Sequence, residues 1–478
     1  MDKPTMHMLS VQEKGGETRK ATQYIAAVAA SIGAVIAGTI LAWTSPALPQ
    51  LEPFKLPPDT NLTIAEYLNL TDTNKTALFN TLKKEADFLL DTTASSVVSS
   101  ILAIGAAISA LPVGVLASRI GRRPTILILS IPFMLNWLLT IFANGPGMLI
   151  AARFFAGLGT GGICVAAPMY IGEIAETSIR GSLGAFFQLF LTVGILFTFV
   201  VGGRSSWRTL SIVSAVLPPL LQHYTAEIVL NYYLRVALNL LTLSTILFQL
   251  DDAARQRAGV MSMVTSKAPR MALICGLGLM FFQQFSGINA VIFYTNNIFQ
   301  SAGSNIPPTI ATIIIGVVQT IATYASSLLV ERAGRRLLLL QSCIIMGLCL
   351  IILGVYFKLQ LDSVNVASFG WLPLVCLVLF IISFSMGFGP IPWMMMAELF
   401  PVEFRGPATG VTVITNWCLV FVVTLFFPIM KDAIGIYSCF WFFASFMVVC
   451  VFFVFFLIPE TKGKTVTQIQ AILAGKRA

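Results

Sequence analysis

The sequence is short of the groups that most enzyme chemistry needs. Only 11% of its 478 residues are charged, and His7 and His223 are its only histidines. A soluble domain carries about 25% charged residues, so the composition excludes an ordinary water-soluble globule. Zinc ligation and histidine-based catalysis have almost no material. The eight cysteines, at 164, 275, 343, 349, 376, 418, 439 and 450, all fall in or beside apolar runs. They show no metal-site spacing and no disulfide framework, and read as small buried side chains. Carboxylates are missing as well. No Asp, Glu, Lys, Arg or His lies between Tyr24 and Pro49, and no carboxylate sits at the middle of any other apolar run.

What is there is hydrophobic. Apolar residues make up 56% of the chain, and the mean hydropathy is +0.85. Runs long enough to cross a bilayer occupy about 22–45, 95–117, 125–143, 148–170, 183–202, 208–224, 271–292, 308–330, 337–357, 372–396, 408–430 and 435–458. These runs predict an all-α membrane protein of twelve transmembrane helices, the sixth unusually short. Another apolar stretch, Glu227 to Leu250, competes for the membrane.

A short charged phrase occurs twice and settles the count. Arg119-Ile120-Gly121-Arg122-Arg123 recurs as Arg332-Ala333-Gly334-Arg335-Arg336, 213 residues later. Glu173 stands seven residues before Arg180, and Glu398 stands seven before Arg405, an offset of 225. Two offsets that nearly agree indicate a duplicated unit of half the chain, the way many membrane carriers are built. Both Arg-rich loops belong in the cytoplasm under the positive-inside rule. Six spans between them satisfy that, so Glu227–Leu250 is assigned a cytoplasmic or interfacial place, or is partly merged with the sixth span.

The expected organisation is a cytoplasmic tail over 1–21 and a first six-helix bundle over 22–224. A linker over 225–269, a second bundle over 270–458 and a cytoplasmic tail over 459–478 follow. Residues 1–20 are polar and of mixed charge, unlike a cleaved leader. Both termini then face the cytoplasm, as do 21 of the 30 Lys and Arg residues. The net charge of +9 is mostly orientation signal. Because the basic residues are scattered over loops and tails, nucleic-acid binding is a poor reading. Three sequons, at Asn61, Asn69 and Asn74, lie in the one long loop expected outside and mark it for glycosylation.

Polar groups inside the spans point to a site. Gln283, Gln284 and Asn289 crowd the seventh span, where unpaired amides are costly in hydrocarbon. Amides both donate and accept, which suits a hydroxyl-rich ligand in a watery cavity. Polar adhesion between helices is the plainer alternative. Gly287 lets the helix deviate so that these amides converge. Gly387, Gly389, Pro390 and Pro392 interrupt the tenth span just before Trp393, a flat apolar face for a sugar ring. Gln188, Gln319 and Asn416 add polar groups at membrane depth. Arg122, Arg123, Glu173, Arg180, Glu331, Arg335, Arg336, Glu398 and Arg405 cluster at cytoplasmic ends. They are expected to pair across the halves and hold the inner mouth shut, with topogenic charge alone as the bland reading.

With these phrases in hand, the chain resembles the sugar porters of the major facilitator superfamily. Pro168-Met169-Tyr170-Ile171-Gly172-Glu173, Gln283-Gln284, Asn289, Gly389-Pro390-Ile391-Pro392-Trp393 and Pro459-Glu460-Thr461-Lys462-Gly463 carry the resemblance with the two Arg-rich phrases. Within the family it is most similar to the insect facilitated trehalose transporters and their glucose-transporter-like relatives, through Trp43-Thr44-Ser45-Pro46 and Phe388-Gly389-Pro390. The resemblance implies sugar contacts at Gln188, Gln283, Gln284, Asn289, Gln319, Trp393 and Asn416. It implies an outer gate at Tyr294 and Arg153. Ser118 stands where the family has Asp, Ser385 where many glucose carriers have Glu, and the Pro-Glu-Ser-Pro after the sixth helix is absent.

The expected function is facilitated movement of trehalose or a hexose such as glucose across the plasma membrane by alternating access. It needs no covalent chemistry and no cofactor, and a monomer suffices. The bare first span speaks against a proton-coupled symporter, since coupling needs a titratable group in the pathway. A non-transporting sugar sensor or degenerate carrier is the rival from another class.

Overall fold

The computed structural model describes residues 16–52, 88–174, 176, 179–225, 266–302, 306–401 and 405–475. The three sequons and all but the ends of the 225–269 linker lie outside the described residues. The first half contains α1 (Gly16–Ala42), α2 (Thr44–Leu51), α3 (Thr92–Ile120), α4 (Arg122–Ile141), α5 (Pro146–Ile174), α6 (Arg180–Gly202) and α7 (Trp207–Ser214). The second contains α8 (Lys267–Phe285), α9 (Ile288–Ala302), α10 (Pro308–Ala333), α11 (Arg335–Leu361), α12 (Leu372–Met386), α13 (Ile391–Leu399), α14 (Arg405–Ile434), α15 (Ile436–Leu457) and the short α16 (Val466–Leu473). Caps are readable in the sequence. Asp91 accepts a hydrogen bond from the Ala94 N–H at 2.8 Å, and Thr465 forms a capping box with Gln468.

Among the described residues, eleven helices are long and apolar enough to cross a membrane. The expected sixth span, 208–224, is not among them. α7 stops at Ser214, the chain turns at 215–216, and helix resumes over 217–225. Pro218 and Pro219 follow this turn, where their missing N–H groups cost a new helix nothing. Hydropathy reads length, and length alone conceals such a break.

The duplication is visible in the packing. In the first half α3 packs on α5, α1 on α6, and α4 on both α5 and α7. In the second half the equivalent helices repeat this: α10 on α12, α8 on α14, and α11 on both α12 and α15. The halves meet where α3 touches α14, α6 touches α10, and α2 touches α9. The repeated Arg-rich phrase makes the same turn twice. Gly121 has φ +94° and Gly334 φ +89°, a left-handed conformation that a side chain resists. A new helix starts at the next residue in both halves.

Candidate functional site

The interrupted seventh and tenth spans form the centre of the site. α8 ends at Phe285, and α9 begins at Ile288 after Gly287 at φ +82°. A Cβ at Gly287 would come within 2.8 Å of the Phe443 ring, so glycine is required by both conformation and space. The tenth span breaks between α12 and α13, freeing the carbonyls of Phe388 and Gly389. Gln283 Nε2 donates to both, at 2.6 and 3.3 Å. The one break thus supplies the amide that satisfies the other.

Around this joint the expected amides converge. Gln284 Nε2 donates to Asn416 Oδ1 at 2.7 Å and to Gln283 Oε1 at 3.3 Å. Asn289 Nδ2 in turn donates to Gln284 Oε1. Gln283, Gln284 and Asn416 are buried, with Asn289 half-buried. Gln319 on α10 is buried too, and its Oε1 has no partner. Gln188 on α6 and Trp393 on α13 are half-buried. The structure therefore joins four of the seven expected contact residues into one hydrogen-bonded group. Every bond in it is of a kind that a ligand hydroxyl can replace.

Gln283 and Gln284 are not equivalent in this arrangement. Gln283 holds main-chain carbonyls, whereas Gln284 holds only side chains. Gln284→Ala is expected to leave folding largely intact and weaken ligand binding by about 0.5–1.5 kcal/mol, the net worth of a hydrogen bond. Equilibrium binding to purified protein checks this. Unchanged affinity with a collapsed melting temperature would make the cluster adhesion between helices only.

Tyr294 and Arg153 lie toward the face opposite the Arg-rich loops. Tyr294 is buried, donates from Oη to the Thr424 carbonyl at 3.0 Å, and has non-helical backbone within α9 (φ −120°, ψ 19°). Arg153 is 1% exposed. Its Nη1 donates to the Ile40 carbonyl at 2.8 Å, its Nε to the Val98 carbonyl at 3.4 Å, and the Trp43 ring lies 5.6 Å from the guanidinium. Sequence reasoning did not pick out the bonds between the halves on this side. Thr44 Oγ1 donates to the Phe293 carbonyl at 3.3 Å, the Asn296 N–H to Ser45 Oγ at 3.3 Å, and Asn297 Nδ2 to Glu52 Oε2 at 3.2 Å. The only available signal was an asparagine pair ending an apolar run.

Among the described side chains at the Arg-rich face, Arg122 and Arg335 each pair with a carboxylate of their own half. Arg122 meets Glu173 at 2.7 Å, and Arg335 meets Glu398 at 3.0 Å. Each arginine also turns Nη1 back onto a carbonyl five residues earlier, Ala117 at 3.1 Å and Val330 at 3.2 Å. The second residues of the phrases differ. Arg123 Nε donates to Tyr170 Oη at 3.0 Å, whereas Arg336 donates to the Phe455 carbonyl. The side chains of Arg180, Glu331 and Arg405 lie outside what is described.

A strap after α15 ties this face of the second half together. The Glu460 carboxylate accepts from the backbone N–H groups of Arg335 and Arg336, both at 3.1 Å, filling the start of α11. Thr461 Oγ1 donates to Glu398 Oε2 at 2.5 Å, and Gln470 Nε2 to the Leu399 carbonyl at 2.6 Å. Partial burial works against the charge on Glu460. The N–H groups of Lys462, Arg335, Arg336 and Thr461 outweigh it and hold the carboxyl below its usual value of 4.5. A depressed carboxylate contributes stability above its unfolded pKa and loses it as pH falls through the folded one. The melting-temperature gap between wild type and Glu460→Gln should therefore be full at pH 7 and close in acid below about pH 4.5. A gap that persists unchanged at pH 3, with the protein still folded, would contradict this.

Two helical halves of like packing, meeting at broken helices lined with amides, make up the major facilitator fold. The chain belongs to the "Sugar (and other) transporter" family, whose profile matches residues 61–225 and 240–473. It is 36% identical over 475 residues to the "Facilitated trehalose transporter Tret1" of Drosophila mojavensis, covering 95% of this chain and 52% of that protein. It matches the "Trehalose transporter 1" of Drosophila melanogaster at the same identity and coverage. The chain spans about half the length of the curated relatives it matches. Among solved structures, the inward-open xylose transporter XylE from E. coli superposes with a TM-score of 0.69 at 21% identity, covering 94% of this chain and 99% of that one. That likeness supports the fold.

Proposed function

We propose that the protein is a facilitative carrier of trehalose or a hexose such as glucose, working by alternating access without covalent chemistry. The observation that carries this is the Gln283–Gln284–Asn289–Asn416 cluster at the junction of two interrupted spans. It offers donors and acceptors matched to hydroxyls and contains no titratable group. Gln188, Gln319 and Trp393 complete the site in this reading, with the Trp393 indole under the C–H face of a ring. The trehalose transporters among the relatives favour a disaccharide that leaves one ring for the amides and the other for neighbouring surfaces.

Passive movement is favoured over proton coupling by the surroundings of Arg153. Its partners are two main-chain carbonyls and an indole, none of which titrates near neutral pH. The Arg-rich face is taken as cytoplasmic, which puts the Tyr294 face and the Asn61, Asn69 and Asn74 sequons outside at the plasma membrane. The bonds of Thr44, Ser45 and Glu52 to α9 then close the outer mouth. Arg122, Arg123, Glu173, Arg180, Glu331, Arg335, Arg336, Glu398 and Arg405 border the inner one. Reforming them across the halves would close it on the return step.

Reconstitution tests the proposal. Purified protein in liposomes is expected to take up labelled trehalose or glucose down its gradient, at a rate unaffected by an imposed proton gradient. Acceleration by inward-directed protons would establish a symporter. Saturable binding without uptake would establish the sensor. Competition by a panel of mono- and disaccharides then names the sugar.

A further inference from the structure

At the outer mouth lies a hollow of about 60 Å3, lined by both polar and apolar side chains, that the amide cluster does not reach. The end of α2 contributes Glu52, α9 contributes Tyr294 and Asn297, and α14 contributes Phe427, Lys431 and Asp432. Two carboxylates, an ammonium and an amide thus stand around one opening. The Tyr294 and Phe427 rings form an aromatic wall, with centroids 5.4 Å apart and tilted by 32°. Asn297 Oδ1 is buried there without a hydrogen-bond partner. Lys431 and Asp432 are 4.0 Å apart, too far to satisfy each other by a good hydrogen bond.

We infer that this hollow is an external reception site for one pyranose ring of the transported sugar. The inference rests on the carrier reading above. The chemistry fits a sugar better than an ion. Carboxylates accept from hydroxyls, the ammonium and amide donate to them, and aromatic faces take the C–H side of a ring. Carboxylates and ammonium of opposite sign side by side disfavour a simple anion or cation. A hollow of about 60 Å3 holds on the order of four to six waters. That is room for the hydroxyl edge of one ring, and it excludes a whole buried disaccharide.

The position gives the site a role. Asn297 and Glu52 are bonded to each other across the halves at 3.2 Å. A sugar hydroxyl that donates to Glu52 and accepts from Asn297 replaces that bond and removes one tie closing the mouth. The backbone of α9 departs from helix at Tyr294, in the wall of the hollow, which gives the segment carrying Asn297 a hinge. Docking and unlatching become one event.

Protection from a thiol reagent tests the site. Lys431→Cys is placed in a Cys418→Ser background, since Cys418 is the exposed native thiol. Proteoliposomes of one orientation are then treated from outside with a membrane-impermeant maleimide. External trehalose or glucose is expected to slow labelling severalfold, while the open-chain polyol sorbitol does not. Adding Asp432→Asn should abolish the slowing. Uptake with no protection overturns the outer site and leaves the carrier standing. Protection that survives Asp432→Asn also overturns it, by tracing the slowing to movement of the gate. Neither uptake nor protection overturns both readings.

Discussion

Glu398→Ala is expected to destabilise the protein by on the order of 3 kcal/mol, the low end of the cost of breaking a buried ion pair. The equivalent Glu173→Ala is expected to cost less than about 1 kcal/mol. Sequence alone makes these two residues equivalents, so the contrast follows from structure. The Arg335 side chain is 6% exposed and its partner Glu398 25%, against 27% and 50% for Arg122 and Glu173. Removing Glu398 takes a carboxylate from a guanidinium that has lost most of its water, and it also takes the acceptor from Thr461 Oγ1. Removing Glu173 leaves Arg122 able to rehydrate. Melting curves of the two variants in one detergent decide the matter. The Glu398→Met/Arg335→Met double variant should recover much of the loss, because two apolar side chains leave no orphan charge. Equal shifts for Glu173→Ala and Glu398→Ala would refute the assignment.

The asymmetry has a cause further along the chain. The strap through Glu460, Thr461 and α16 covers the second pair, with Ile469 and Leu473 buried against α8 and α13. The equivalent covering segment of the first half would follow the sixth span, where the described residues stop at 225. A transport defect in Glu398→Ala accordingly needs a stability measurement beside it before it is credited to gating.

Much of the architecture could be read from residues alone, because membrane spans and turns are local. The repeated phrase marked the duplicated loops, in which the backbone then shows left-handed turns at Gly121 and Gly334, and Gly287 marked a deviation that the backbone has. The convergence of the seventh-span amides followed from their cost in hydrocarbon and the deviation at Gly287, whereas Asn416 joined them only through the family resemblance. Partner choice was not legible. Nothing in a span's hydropathy tells that Gln283 serves two carbonyls freed 105 and 106 residues later, or that Glu398 pairs inside its own half. Nor did the sequence mark Glu52, Asn296 and Asn297, since polar residues at the end of an apolar run look like an ordinary boundary. The turn at 215–216 inside the sixth span was hidden for a related reason: an apolar run reports depth in the membrane but not continuity of the helix.

Gly157→Val is expected to prevent the first half from folding. Gly157 lies on α5 where it crosses α3, and a Cβ there would meet the Leu102 carbonyl oxygen at 2.0 Å. The crossing is reciprocal: a Cβ at Gly105 would meet the Phe154 carbonyl at 2.3 Å, and one at Gly161 the Ala106 carbonyl at 2.3 Å. α1 and α6 cross in the same manner, with Gly38 against the Leu191 carbonyl at 2.0 Å and Gly194 against Val35 at 2.1 Å. Between membrane helices the attraction is close packing, which small residues permit and a branched side chain forbids. Overpacking among flexible side chains costs about 1–3 kcal/mol. Here the obstacles are backbones, so the cost lies at or above that upper end. The counterpart helix pair α8 and α14 is spaced differently, since a Cβ at Gly276 would first meet the Phe400 ring at 3.0 Å. Close backbone contact thus stiffens the α3–α5 and α1–α6 crossings of the first half, while a Cβ at Gly276 on α8 meets a ring that can shift. Size-exclusion profiles should show aggregated or absent protein for Gly157→Val and a normal peak for Gly184→Ala, where a Cβ meets nothing within 4 Å. A monodisperse Gly157→Val protein with the wild-type melting temperature would show that α3 and α5 do not cross this closely.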